Sequence, residues 1–256
     1  MKLRKYISIL LVFVPSLLFA QTITEKDTAI VTPETHLFAT FVKSFDHGLS
    51  LTIEEEIRSA PSHRAHTTLG LGYSPIPYLN IYAGYTIMLY GNQGWDNPKK
   101  FLRHRVNILF TGQVKLGQWN LALREGIMMD ARMDEVDLRT KNQADFTLRS
   151  RLQAVYSIPE TPLGIVGKFE ILNTLNAPIA YINQVQNQRY GQYISELRPE
   201  AGVQWKINKQ NSLTLTYRYN YLYNRDIKID DSTNIINLTN KYTTKHLMLL
   251  AYKFGW

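Results

Sequence analysis

The chain has 256 residues, of which 45% are hydrophobic and 12% aromatic, with a formal net charge of +8 at pH 7 and no cysteine. This length fits one domain. The absence of cysteine excludes disulfides, thiolate metal sites, iron–sulfur centres and a cysteine nucleophile, and the aromatic content is too high for a disordered chain. After the first twenty residues, no apolar run reaches the ~18 residues that a membrane-spanning helix needs.

Residues 1–20 are typical of a secretory signal peptide, with a basic start, an apolar stretch and a small residue, Ala20, at the cleavage position. The alternative is an uncleaved anchor helix, for which the apolar stretch is short. We predict cleavage after Ala20, which leaves residues 21–256 as a single mature domain. After removal of the signal peptide the chain keeps only a small positive net charge, which does not indicate nucleic-acid binding.

The mature region alternates apolar and polar residues, which is the pattern of β-strands with one apolar and one polar face. Helix-like windows are scarce; the stretch 131–142 is the only plausible one, and it is polar. We predict eleven strands in chain order, at 35–45, 49–58, 66–73, 78–90, 101–115, 119–129, 145–157, 163–174, 194–207, 212–224 and 242–256.

The connections between these strands alternate in length. The short ones are 46–48, 74–77, 116–118, 158–162 and 208–211, and the long polar ones are 91–100, 130–144, 175–193 and 225–241. Short periplasmic turns at one rim and longer extracellular loops at the other are typical of an antiparallel transmembrane β-barrel. An exported chain that begins and ends on the periplasmic side needs an even number of strands. A further strand at 22–32 would give about twelve, which we favour, with ten as the alternative.

Alternation alone does not separate a membrane barrel from a soluble one, because the two differ in which face points outward. The end of the chain favours the membrane barrel: a terminal aromatic residue that closes an alternating strand resembles the signal read by the barrel-assembly machinery of the outer membrane. Several aromatic residues also lie on the apolar face beside short turns, where amphipathic rings suit a membrane interface. The predicted periplasmic girdle is Tyr73, Trp119, Tyr156, Trp205 and Trp256.

Short arginine-centred motifs add a family resemblance. The runs LTIEEEIR at 51–58, LRHR at 102–105, LALRE at 121–125 and LRSRLQ at 148–153 resemble the bacterial family known only as domain of unknown function 2490 (DUF2490). The resemblance covers residues 35–256. It implies an exported outer-membrane β-barrel and implies no activity.

In such a barrel the polar face points into the lumen, and here that face is charged. We predict a lumen charge cluster of Glu54, Glu56, Arg103, Arg105, Arg124, Arg149, Arg151, Glu170, Glu200 and Arg218, with Arg58, Lys168 and Arg198 on the same face. The cluster has two interpretations. It forms a transverse field that sorts solutes in a pore, or it forms an ion-pair network that closes a narrow barrel, because charges in a low-dielectric interior must be paired.

Two acidic residues, Glu55 and Glu125, fall on the predicted apolar face, where a carboxylate is costly. Three explanations are open: both residues lie at the outer membrane interface, a β-bulge reverses the side-chain alternation, or a partner protein covers them. Ser150, His104 and His246 also face outward, but no acid is placed to orient either histidine for nucleophilic chemistry.

No pair of histidines has metal-ligand spacing, and nothing indicates a cofactor. The sequence therefore predicts a non-enzymatic outer-membrane barrel that is a small pore or solute-diffusion channel. The alternatives are a closed structural or interaction barrel with partner-binding loops, and a lipid-modifying enzyme. The expected partners are outer-membrane lipid, the barrel-assembly machinery and a small solute.

Overall fold

The computed structural model describes residues 30–59, 64–90, 102–133, 143–176, 179–182, 185–189, 194–230 and 235–256. Among these residues there is no helix long and apolar enough to cross a membrane. The strands are β1 (Ile30–Ser44), β2 (Leu49–Arg58), β3 (Arg64–Ile76), β4 (Leu79–Tyr90), β5 (Leu102–Leu116), β6 (Trp119–Arg132), β7 (Ala144–Ser157), β8 (Leu163–Thr174), β9 (Ile179–Ile182), β10 (Val185–Arg189), β11 (Ile194–Lys206), β12 (Asn211–Asp230) and β13 (Ile235–Gly255).

Eleven of these strands close into a barrel in the order β1-β13-β12-β11-β8-β7-β6-β5-β4-β3-β2, and β9 and β10 form a separate hairpin. All barrel pairs are antiparallel except the seam, where β1 runs parallel to β13 from the Ile30–Thr243 pair to the Val42–Gly255 pair. The parallel seam follows from the odd count, because the first and last of eleven up-and-down strands run in the same direction.

This count corrects the parity argument, which gave twelve strands or alternatively ten. That argument placed both ends of the barrel chain at one rim. In the structure β1 starts at the rim of the longer connections, whereas β13 ends beside the short turns, so the parallel seam closes an odd ring. Positions 22–29 of the extra predicted strand lie outside the described residues, and positions 30–32 belong to β1.

The eleven predicted strands otherwise correspond one to one with the barrel strands, and β2 and β8 have the predicted bounds. The largest difference is the β12–β13 hairpin, which continues through most of the predicted loop 225–241. β6 likewise runs to Arg132, into the predicted helix window 131–142; residues 134–142 lie outside the described residues. Cross-strand hydrogen bonds extend these strands into polar sequence because paired backbone groups need no apolar side chain.

The side-chain alternation places the apolar face on the outside. On β3, Leu69, Leu71 and Tyr73 are 55%, 66% and 46% exposed, whereas His66 and Thr68 are buried. A soluble barrel has the opposite arrangement, with its apolar residues inside. The outward-facing apolar side chains form what we call the outer belt.

The five aromatic residues predicted as a girdle all lie at the short-turn rim, which we define by the turns 45–48, 77–78, 117–118, 158–162 and 207–210. The rings of Trp119 and Tyr156 contact each other across the β6–β7 pair, with centroids 4.9 Å apart. Trp256 stacks on Phe254 with centroids 5.3 Å apart. Aromatic side chains therefore lie where the outer belt meets the short-turn rim.

Two glycines offer a matched test of how closely the strands approach each other. A Cβ at Gly202 would overlap the β12 backbone at Leu215 and Thr216, whereas a Cβ at Gly167 would meet nothing within 4 Å. We expect Gly202→Ala to destabilise the barrel by about 1–3 kcal/mol, the usual cost of overpacking, and Gly167→Ala to leave it unchanged. The measurement is the temperature at which the folded, fast-migrating electrophoretic band is lost. If both variants lost the folded band at the same temperature, the close approach of β12 to Gly202 would be contradicted.

Candidate functional site

The polar face of the strands lines the interior of the barrel. The charged residues predicted to face the lumen are all buried or half-buried at inward positions: Glu54, Glu56, Arg103, Arg105, Arg124, Arg149, Arg151, Glu170, Glu200 and Arg218. Their neighbours across the strands are set by the barrel register, so acids and bases from different strands come within bonding distance.

Glu170 is the centre of one charged group on the inner wall. Its Oε1 accepts hydrogen bonds from Arg149 Nε at 2.6 Å and from Arg151 Nε at 2.7 Å, and its Oε2 accepts one from Arg198 Nη1 at 2.9 Å. Arg198 Nη2 also donates to Glu196 at 2.6 Å. One carboxylate of β8 thereby joins guanidinium groups of β7 and β11.

Glu200 is the centre of a second group one strand further round. Its carboxylate accepts from Lys168 Nζ at 2.5 Å, from Thr216 Oγ1 at 2.9 Å and from Arg218 Nε at 2.8 Å. These contacts join β8, β11 and β12. Only 3% of the Glu200 side chain is exposed, so these hydrogen bonds replace its hydration.

Glu56 organises the opposite wall. Arg58 donates two hydrogen bonds to its carboxylate, at 2.7 and 2.8 Å. His66 Nδ1 lies 3.0 Å from Oε2 and His36 Nδ1 lies 3.1 Å from Oε1. The group connects β1, β2 and β3.

Ion pairs also fasten the seam and the β5–β6 pair. Lys245 of β13 donates to Glu34 of β1 at 2.6 Å, across the parallel seam. Arg105 donates to both oxygens of Asp130, at 2.5 and 2.7 Å. Further along, Arg103 stands opposite Arg132 in the register.

The remaining predicted residues, Glu54 and Arg124, have no ion-pair partner among the described residues. Glu54 accepts a hydrogen bond of 3.3 Å from Thr40 Oγ1, and Arg124 Nε donates one of 3.1 Å to Thr111 Oγ1. Each charge is therefore held by a neutral hydroxyl group.

Several hydrogen-bonded arginines of the inner wall keep part of their surface exposed. The side chains of Arg218, Arg149 and Arg105 are 13%, 19% and 25% exposed although they are hydrogen-bonded. Since these side chains point inward, that exposed surface borders the lumen.

Sequence reasoning missed several members of these groups, namely Glu34, His36, His66, Asp130 and Lys245. Glu34 and His36 are in phase with the inward-facing Thr40, so the alternation of β1 could have identified them. Asp130 is in phase with Arg124 but lay in a predicted loop, because β6 was predicted to end at 129.

The two acids on the apolar face do point outward, and each has a hydroxyl partner on the next strand. Thr67 donates to Glu55 at 2.9 Å, and Ser150 donates to Glu125 at 2.6 Å. The register of these strand pairs is continuous, so no bulge reverses the phase there.

The outward serine and histidines make other contacts. Ser150 donates to Glu125, while His104 contacts the hydroxyl of Tyr85 and His246 contacts the hydroxyl of Tyr217. Neither histidine is hydrogen-bonded to Ser150. In the described part of the chain, no three potential metal ligands come together.

The Glu170 group provides a stability test. We expect Glu170→Gln to destabilise the barrel by about 3–5 kcal/mol, because it leaves buried guanidinium groups without their counter-charge. The control is Glu160→Gln in the exposed turn 158–162, for which we expect a change within about 0.5 kcal/mol. Unfolding in urea, followed by tryptophan fluorescence, measures both. A Glu170→Gln barrel as stable as the control would show that the group is not needed for closure.

Comparisons with known proteins found a similar solved structure and a matching family. The NanC porin structure, in a rhombohedral crystal form, has a TM-score of 0.49 and 11% sequence identity, covering 85% of this chain and 91% of that chain. No curated protein sequence matches the chain. The family described as "Protein of unknown function (DUF2490)" matches residues 35–230, which is most of the chain. The chain therefore belongs to the DUF2490 family.

Proposed function

We propose that the chain is a non-enzymatic β-barrel of the bacterial outer membrane that acts as a small pore or solute-diffusion channel with a charged lumen. The observation that carries this proposal is the inversion of the barrel. Many of its large apolar side chains are exposed on the outside, and its charged side chains are inside, some of them partly exposed. An exposed apolar surface of this extent needs a membrane to cover it.

The height of the outer belt supports the membrane placement. Trp256 lies at the short-turn rim, and ten residues earlier His246 contacts Tyr217 and packs edge-on against Tyr219. Ten strand residues at ~3.3 Å each, tilted by about 40°, span about 25 Å, which is the apolar height of an outer-membrane barrel. Amphipathic rings would then mark both interfaces.

The export and assembly steps belong to the same proposal. Residues 1–20 are removed after Ala20, and the mature chain is delivered to the barrel-assembly machinery. β13, with the terminal Trp256, is the strand that the machinery reads. Because β13 is also one side of the seam, recognition of this strand would leave closure onto β1 as the last pairing.

A closed structural or interaction barrel is the second candidate. The ion-pair groups around Glu170 and Glu200 favour it, because they bridge neighbouring strands and fill inner space. A lipid-modifying enzyme has less support, because Ser150 is bonded to Glu125 and not to a histidine. We favour the pore since the guanidinium groups remain open to the lumen.

Membrane placement is tested by heat-modifiability. We expect the protein in the outer-membrane fraction, with a band that migrates faster unboiled than boiled, because a closed barrel resists detergent until heated. The boiled sample is the control. A soluble periplasmic protein without a mobility shift would contradict the membrane barrel.

Charge selectivity is tested in planar bilayers. Removing two lumen cations with Arg105→Ala and Arg149→Ala should weaken anion preference, shifting the reversal potential in a salt gradient toward that of a non-selective pore. Lys209→Gln, in the exposed turn 207–210, is the control. An unchanged reversal potential would contradict a selective lumen, and lack of conductance with an intact fold would favour the closed barrel.

A further inference from the structure

Glu54 and Arg124 are opposite charges on the inner wall that have no ion-pair partner in the described part of the chain. Glu54 lies five residues beyond Leu49, the first residue of β2, and Arg124 lies five residues beyond Trp119, the first residue of β6. Both strands start at the short-turn rim, so the two charges stand at a similar depth. β2 and β6 are separated by three strands of the ring.

Electrostatic interactions connect the two walls. Glu54 is within electrostatic range of Arg149 and Arg151 on β7, and Arg124 is within range of Glu54. Tyr82 of β4 is within range of both Glu54 and Arg124. Because both side chains face inward at a similar depth of the closed barrel, the carboxylate and the guanidinium border the same part of the lumen.

The Tyr82 ring packs closely against the inner wall. A Cβ at Gly70 or Gly84 would overlap the Tyr82 ring, so the ring lies in room that these glycines provide against the wall. Thr40 and Thr111 bond to Glu54 and Arg124 without neutralising them. A charge inside a membrane protein that is left unpaired beside water marks a solute pathway.

We propose that Glu54 and Arg124 form a binding site for small zwitterions, solutes that carry one ammonium and one acidic group. This inference rests on the proposed pore function and names its solute class. The ammonium group pairs with Glu54, and the acidic group pairs with Arg124, whose other N–H groups make no hydrogen bond to the described residues.

Solutes with a single charge fit this site less well. An anion pairs with Arg124 but is repelled by the carboxylate of Glu54. A cation gains Glu54 but meets Arg124, with Arg149 and Arg151 nearby. A zwitterion pairs with both Glu54 and Arg124, so its two charges supply the counter-charges that these two residues lack.

The test uses three probes of one two-carbon skeleton: taurine, isethionate and ethanolamine. Uptake into liposomes that contain the full-length barrel is measured for each, with protein-free liposomes subtracted. We expect taurine to enter about fivefold faster than either single-charge probe, the ratio for about 1 kcal/mol of added ion pairing. This comparison needs no variant.

Variants then assign the two charges. Glu54→Gln should remove the preference for taurine over isethionate, and Arg124→Gln should remove its preference over ethanolamine. Arg124→Lys keeps the charge and should retain the taurine preference. Glu160→Gln and Lys209→Gln, in exposed turns, are the controls, and heat-modifiability verifies that each variant is folded.

The outcomes separate the site from the pore. Equal uptake of the three probes, unaffected by Glu54→Gln, would leave the pore intact and overturn the zwitterion site. Fastest uptake of isethionate would also overturn it, in favour of a simple anion site. No uptake of any probe by a folded barrel would overturn the pore itself and the inference with it.

Discussion

Closure of the sheet at the β1–β13 seam is the constraint on which the rest of the structure depends. In a closed ring every strand has a neighbour on both sides, so backbone N–H and C=O groups are satisfied within the sheet. Side chains then alternate between inside and outside, apart from register shifts in the β3–β4 and β8–β11 pairs. Because the apolar faces of the strands point outward, their polar faces point into the lumen. The charged side chains must therefore be accommodated there.

The charges are accommodated by pairing across neighbouring strands. Glu56 joins β1 to β3, Asp130 joins β5 to β6, Glu170 joins β7, β8 and β11, and Glu200 joins β8, β11 and β12. Glu56, Glu170 and Glu200 each lie between bases from different strands, and Asp130 pairs with a base of the neighbouring strand, so the pairs reinforce the ring that the backbone bonds close. Because removing one partner leaves a buried charge, these groups couple side-chain identity to barrel closure.

Local alternation was enough to predict the strands and the inner face, because a period of two is readable within one segment. It identified Arg124 and Glu170 as inward without any knowledge of their neighbours. The seam was not predictable in this way, since closure joins residues as far apart as Glu34 and Lys245. The partner of each charge was equally hidden: that Arg105 meets Asp130 depends on the register and on β6 continuing past its predicted end.

The contrast between the paired charges and Glu54 and Arg124 bears on what the interior does. A barrel needed only for its shape gains nothing from an inward carboxylate and guanidinium that, among the described residues, bond only to hydroxyls. Apolar residues, or a direct ion pair, would close the interior at lower cost. The ion-paired groups stabilise the inner wall, whereas Glu54 and Arg124 produce an electric field across the lumen. Under the proposed pore function, this field acts on the solute, which gives a reason for its cost to stability.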